Sequence, residues 1–261
     1  MRLQIQAGLD LVEREHDVRV LLACESGSRA WGFESATSDW DVRFIYVHRL
    51  EWYVSIQQHR DVIELQLPGD LDLSGWDLPK ALGLFAKSNP PLLEWLRSPV
   101  LYAERFSAAR RLRELSTRYF SARACLYHYL HMAEGNYRDY LCGDTVRLKK
   151  YFYVLRPVLA CRWIEAHGTM PPMEFAVLVD DGLPDSLRSQ VDALLERKRS
   201  GDELAVGPRI ARISDFLESE ITRLATAATL TADAQIPDLE VLDEVLRSTL
   251  DEVWSAEPAP A

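Results

Sequence analysis

The sequence predicts an α+β protein: a small, mixed, twisted sheet with flanking helices over residues 1–103, then a mainly helical domain over 104–255. Three observations carry that expectation. Apolar, β-branched runs recur between residues 18 and 73, separated by turns bearing Gly, Ser and Pro. From residue 104 onward the apolar positions take a helical period with few interruptions. No apolar run approaches the roughly 20 residues of a membrane span.

The elements follow in order. Residues 2–15 read as a helix with Leu3, Ile5, Leu9, Leu11 and Val12 on its apolar side, and 18–23 as a buried strand. Gly27-Ser28 then turns into a short helix carrying Arg29 and Trp31. Gly32 and Ser35-Ala36-Thr37-Ser38 form the loop that returns to a second strand, 39–47. Residues 61–67 alternate as a strand, Pro68-Gly69 turns, and 70–73 is a short extended segment. Asp77 is placed as the N-cap of a helix with Pro79 in its first turn, and Ser88-Asn89-Pro90-Pro91 opens the next. Helices are expected near 104–117, 119–135, 139–167, 172–180, 184–199, 207–229 and 235–254. Breaks fall at Gly135-Asn136, between Gly168 and Pro172, at Gly201 and at Gly207-Pro208. The tail 256–261, AEPAPA, reads as disordered.

The chemistry concentrates in residues 18–47. Asp39 and Asp41, one residue apart on a strand, would point to the same face and repel each other unless a cation sits between them. A Gly-Ser turn ten residues upstream allows backbone N–H groups to approach phosphate oxygens. Acids that hold Mg²⁺ beside a turn that cradles phosphate are what phosphoryl transfer needs. The plain alternative is a surface turn capped by Ser38 and Asp39. Gly27-Ser28 and two flanking apolar strands weigh against it.

The spacing of Gly27-Ser28 and Asp39-Trp40-Asp41 resembles the signature of the DNA polymerase β-like nucleotidyltransferase superfamily. The longer stretch GSRAWGFES…SDWDVRFIYV is similar to one bacterial and phage branch, the YcgL-type or RNA-repair-pathway polymerase-β family. SGWDLPKAL (74–82), SNPPLLEWLRSPVLY (88–102) and RLKKYFYVLRPVLACRWI (147–164) extend the match over roughly residues 15–180. The resemblance implies a polymerase β-like core with a helical domain meeting it across a cleft. It also implies a third carboxylate on a neighbouring strand, serving as metal ligand or base. Asp72, between Leu71 and Leu73, is the choice, with Asp70 and Glu64 as alternatives. Three carboxylates would then hold two Mg²⁺, or Mn²⁺, at an in-line displacement.

Other residues join this reading. Ser28 and Gly27 would contact the triphosphate. Arg29 would either contact phosphate or pair with Glu25 or Glu34. Trp31 reads as core before base-stacking platform, and Arg43, on the face of the two Asp, could balance their charge or reach phosphate. The chain has five Lys against 25 Arg, and Lys149-Lys150 are adjacent. With Tyr153 and Arg156 they make either a phosphate-binding helix or a solvated face with interleaved core aromatics; Lys80 is a lesser phosphate candidate. The six His show no metal-ligand spacing, and there is no Walker-type loop.

Composition sets the limits. At 48% hydrophobic and 27% charged the chain is ordinary for a soluble protein, and its N-terminus lacks the apolar core of a signal peptide. A cytoplasmic protein with reduced thiols at Cys24, Cys125, Cys142 and Cys161 is expected, with no membrane partner. The net charge of −10 excludes a generally basic nucleic-acid surface, so a polynucleotide would bind in a groove. The expected reaction moves an NMP from an NTP, such as ATP, to a hydroxyl. The resemblance makes that acceptor an RNA or tRNA end, as in RNA repair. The alternatives are nucleotidylation of a protein or small molecule, antitoxin-like AMPylation among them, and a non-catalytic nucleotide-binding module. The acidic charge favours the protein acceptor. Residues after Gly201 carry no motif tied to chemistry, and packing or homo-oligomer formation is their expected role.

Overall fold

The computed structural model describes residues 1–201, 204–231 and 237–255. The chain opens with α1 (Arg2–His16), β1 (Arg19–Glu25), β2 (Trp40–Val47), α2 (Leu50–Tyr53), β3 (Val62–Leu67) and β4 (Leu71–Asp77). It continues through α3 (Leu78–Ala86), α4 (Pro90–Arg97), β5 (Leu101–Glu104) and α5 (Ala108–Tyr119). Then come α6 (Ala122–Tyr140), β6 (Thr145–Arg147), α7 (Lys150–His167), α8 (Phe175–Gly182), α9 (Asp185–Arg199), β7 (Val206–Pro208), α10 (Ala211–Leu230) and α11 (Leu239–Trp254). The architecture is the α+β arrangement the sequence predicts.

Five strands form one sheet in the order β3-β4-β2-β1-β5. β2 and β4 are parallel and the remaining pairs antiparallel, so the sheet is mixed. Alternation sends Val42, Phe44 and Tyr46 of β2 and Leu71 and Leu73 of β4 into one core, where Ile5, Leu9 and Val12 of α1 cover them. Gly75 admits the Phe44 ring, since a Cβ there would lie 2.1 Å from it. The opposite face carries Asp41 and Asp72, the residues of chemical interest.

The chain divides into two compact units. One holds residues 1–30 and 39–119 with α11; the other holds residues 31–38 and the described residues between 120 and 231. This differs from the expected boundary at residue 103. α5 and α11 remain with the sheet because their side chains are fastened there. Tyr119 packs 5.1 Å from the ring of Phe85, Arg118 pairs with Asp238 at 2.9 Å, and Trp254 donates its indole N–H to His48 O at 2.9 Å.

Several local expectations are corrected. Residues 28–32 are successive turns, closed by Ala30 N–H to Gly27 O, and not a short helix. β4 begins at Leu71, because Gly69 (φ 83°) and Asp70 (φ 55°) form the left-handed hairpin turn before it. Residues 101–104, where the sequence reading placed no strand and began a helix at 104, add the edge strand β5 beside β1. α6 runs through Gly135-Asn136; a helical glycine costs only about 1 kcal/mol against Ala, and buried Leu126, Tyr129, Leu130 and Ala133 outweigh it. α7 starts at Lys150 rather than 139, and the intervening chain pairs β6 with β7.

In the second unit α7 is buried along most of its length, and its C-terminus stops at Gly168, whose φ of 63° suits glycine. Residues 31–38 lie against this unit's helices: Phe33 stacks on Phe152 at 5.0 Å, and Phe175 N–H donates to Trp31 O at 2.9 Å. Among the described residues no helix is long and apolar enough to cross a membrane. The expected tail 256–261 lies outside the described residues, as do residues 235 and 236 of the last expected helix.

Candidate active site

The site is built at the head of β2 and β4. Their parallel register sets Asp41 directly beside Asp72, and Arg43 two residues further along β2 on the same face. The Arg43 guanidinium spans both acids, with Nη1 2.9 Å from Asp72 Oδ2 and Nη2 3.3 Å from Asp41 Oδ1. Nη1 also donates to Asp72 O and Val42 O, at 3.3 and 3.0 Å. Two carboxylates on neighbouring strands repel, and the cation between them offsets that cost. About a third of each Asp side chain is exposed, so the pair is open to a ligand.

The Gly-Ser turn is packed onto Asp41. A Cβ at Gly27 would lie 1.8 Å from Asp41 Oδ2, so no side chain fits there without displacing the carboxylate. Ser26 N–H donates to Asp41 O at 3.0 Å. Half-buried Ser28 follows Gly27 in the same turn. Arg29 joins the two stems of the loop: its Nε donates to Asp39 O at 3.2 Å, and its guanidinium lies 3.6 Å above the Trp40 ring.

Glu25, offered above only as a partner for Arg29, has a different role here. Glu25 is fully buried at the end of β1, and its Oε1 accepts the Asp41 N–H at 2.8 Å. Its Oε2 accepts the Tyr102 hydroxyl at 2.6 Å, and Ser98 Oγ donates to its carbonyl at 2.6 Å. Burial and the Glu25 carboxylate push the Tyr102 hydroxyl pKa upward, which keeps it a donor. Glu25 thus fixes the backbone of Asp41 from beneath. The signal in the sequence was an acid closing an otherwise apolar strand just before the Gly-Ser turn.

Of the three acids offered as third carboxylate, the structure sets Asp72 beside Asp41. Asp70 sits in the hairpin turn, and Glu64 on the edge strand is exposed and pairs with Arg60. Asp39 is exposed and immediately precedes β2, which begins at Trp40. Among the described residues no three His, Cys, Asp or Glu side chains gather closely enough to hold a metal. Asp41 and Asp72 form a pair with the Arg43 guanidinium between them.

Of the remaining candidates all but Lys80 belong to the second unit. Lys149 is exposed at the N-cap of α7 and donates its N–H to Leu204 O at 3.1 Å. Lys150 lies over the Tyr140 and Tyr153 rings, at 4.2 and 4.7 Å, and donates to Asn136 Oδ1 at 3.4 Å. Desolvation, then Arg147 and Lys149, lower its pKa. Tyr153 also meets Trp31 edge-on at 5.6 Å, and Arg156 is buried 4.7 Å over that indole, so Trp31 is part of an aromatic core. Lys80 is engaged by Asp61 at 3.0 Å.

Comparison with known proteins adds the family. The model of the RNA repair pathway DNA polymerase beta family matches residues 1–248. An uncharacterized Bacillus subtilis (strain 168) protein, YcgL, is 50% identical over 255 residues, which are 97% of this chain and 98% of that relative. The crystal structure of a nucleotidyltransferase-like protein from Exiguobacterium sibiricum 255-15 covers 94% of this chain and 80% of its own at 14% identity. Its TM-score of 0.33 is too low to carry an argument. Matched across nearly its whole length, the chain belongs to the RNA repair pathway DNA polymerase beta family.

Proposed function

We propose that the protein transfers a nucleoside monophosphate from an NTP to a hydroxyl at an RNA or tRNA end. The acceptor oxygen would bond to the α-phosphorus as the bond to pyrophosphate breaks. The observation that carries this reading is the Asp41–Asp72 pair, side by side on parallel strands, with the Gly27 turn pressed against Asp41. Family membership supports the chemistry, and the family's name supports RNA as acceptor.

The residues fit a hard divalent cation, Mg²⁺ or Mn²⁺, because the donors are carboxylate oxygens open to solvent. Asp41 and Asp72 would hold it, and when bound it would neutralise phosphate charge. The chain's own groups do the rest. Backbone N–H groups of the Gly27-Ser28 turn would donate to phosphate oxygens. Arg43 is placed to exchange a carboxylate oxygen for a phosphate oxygen as the nucleotide enters. Asp72 would accept the proton of the acceptor hydroxyl, and Glu25 keeps Asp41 in place. Arg29, Lys149, Lys150 and Tyr153 are the further candidates for the nucleotide.

The net charge of −10 favours a second reading, transfer to a hydroxyl of a basic protein. One gel separates the two. Each α-labelled NTP is incubated with Mg²⁺, total RNA and cell protein, using wild type and Asp41→Asn. Label in RNA that the variant loses supports the proposal. Label in a protein band moves the acceptor to protein, and no label in either rejects transfer.

A further inference from the structure

β2 stands between β1 and β4, and the two neighbours bring different groups to Asp41. From the end of β1 comes the Gly27-Ser28 turn, pressed against the carboxylate and suited to phosphate. From β4 comes Asp72, and beyond it Ser74 and Trp76 share its face, because side chains alternate. The register between β2 and β4 runs without a bulge from Trp40 and Leu71 to Tyr46 and Asp77, so Asp72, Ser74 and Trp76 form one row. Arg43 and then Ile45 flank that row on β2. On β3 it is flanked by Glu64, which Arg60 already holds, and by Val62.

Trp76 closes the row. Its indole lies on Trp95 of α4 at 3.9 Å and 27°; Trp95 is only 4% exposed, whereas Trp76 is half-buried. Among the described residues Trp95 is the one ring stacked on Trp76, so the other indole face meets no ring. Neither the Trp76 indole N–H nor the Ser74 hydroxyl has a hydrogen-bond partner among those residues. Four residues of strand separate Asp72 from Trp76, roughly 13 Å. That is within reach of the last bases of a strand whose terminal hydroxyl lies at Asp72.

We infer that Trp76 is the stacking platform for a base near the acceptor end of the RNA, which lies along β4 with its terminal hydroxyl at Asp72. The inference rests on the proposed transfer to RNA and adds where the acceptor is held. In-line displacement puts the attacking and leaving oxygens on opposite sides of the phosphorus. With pyrophosphate at the turn beside β1, the acceptor must come from the β4 side. Single-stranded ends are held by stacking their bases on aromatic rings, which needs no broadly basic surface and so suits a chain of net charge −10. Ser74, midway along the row, offers its hydroxyl to the sugar.

Binding and transfer by the full chain test it, with a five-nucleotide single-stranded RNA and the same RNA lacking its last two bases. Trp76→Leu keeps Trp95 covered but removes the ring face; Trp76→Phe keeps a ring. Trp76→Leu should raise the Kd and the KM for the RNA about tenfold and leave the KM for NTP unchanged, with Trp76→Phe restoring most of the loss. The RNA without those bases should bind wild type and Trp76→Leu equally weakly. No RNA binding by wild type, equal affinity in Trp76→Leu, or a loss that persists on the RNA without the bases overturns the inference. Transfer to RNA that ignores Trp76 also overturns it and leaves the proposed reaction standing. RNA binding through Trp76 without transfer supports the platform and rejects the reaction.

Discussion

The two ends of the β2–β4 pair use the same side chain for opposite purposes. At the head, Asp41 stands beside Asp72, both a third exposed and both held by a guanidinium. At the foot, Tyr46 stands beside Asp77, which is buried and meets a phenol. Tyr53 Oη donates to Asp77 Oδ1 at 2.5 Å and accepts the His48 N–H at 2.9 Å. Burial pushes the Asp77 carboxyl up to about 6, against the pull of the Tyr53 and Leu78 donors. Five residues apart on one strand, Asp72 and Asp77 face opposite sides. One is kept wet and charged for a ligand; the other joins the sheet to α2 and α3.

The largest effect should come from the head. Gly27→Val drives a side chain into Asp41 and should cut transfer about a hundredfold or more, as a misplacement of roughly 1 Å does. The melting temperature should move little by comparison. Wild-type activity in Gly27→Val would break the claim that the turn positions Asp41.

Next is the foot, read by pH. Asp77 carries a folded pKa of about 6 against an ordinary 3.8, so the fold favours its protonated form. Its contribution is present at low pH and is lost as pH rises from about 4 through 6. Asp77→Asn has no such loss and should gain about 2–3 kcal/mol on wild type across that range. His48 runs the other way, losing stability as pH falls from 6.5 toward 4, but it is common to both proteins and cancels. A difference that stays flat from pH 4 to 7, measured by urea unfolding, would remove the contrast.

Glu25→Gln should cost about 1–2 kcal/mol, because one of two buried hydrogen bonds loses its charged acceptor. As a positioning residue it should lower kcat more than it raises KM; an unchanged kcat would leave Glu25 purely structural. The smallest change is Arg43→Met, worth about 1 kcal/mol or less in the absence of metal. Without the guanidinium the carboxylates repel, and Mg²⁺ should raise the melting temperature of the variant more than that of wild type. An equal shift in both would mean the cation does not bind at this pair.

The head was legible in the sequence and the foot was not, for a physical reason. Gly27, Asp39, Asp41 and Arg43 are close along the chain, and alternation alone puts Asp41 and Arg43 on one face. Asp72 was found by its apolar neighbours, but only the parallel register placed it beside Asp41. Asp39 was read as the first residue of a strand over 39–47, and β2 begins at Trp40. Glu25, Tyr53 and Asp77 act through contacts across 16 to 77 residues of sequence, which no local pattern carries. The short edge strand 101–104 was lost likewise, since it pairs with β1, some 80 residues away in the sequence. The place of α11 beside the sheet rests on long-range contacts such as Trp254 to His48.

The central claim is that Asp41 and Asp72 act together. The direct test is the rate of pyrophosphate release from NTP in the presence of the RNA pool, for wild type, Asp41→Asn and Asp72→Asn at equal folded concentration. Each single variant should fall to background, and the double variant should be no worse than either. Wild-type release by Asp72→Asn would contradict it, and would leave Asp41 without the partner that the sheet sets beside it.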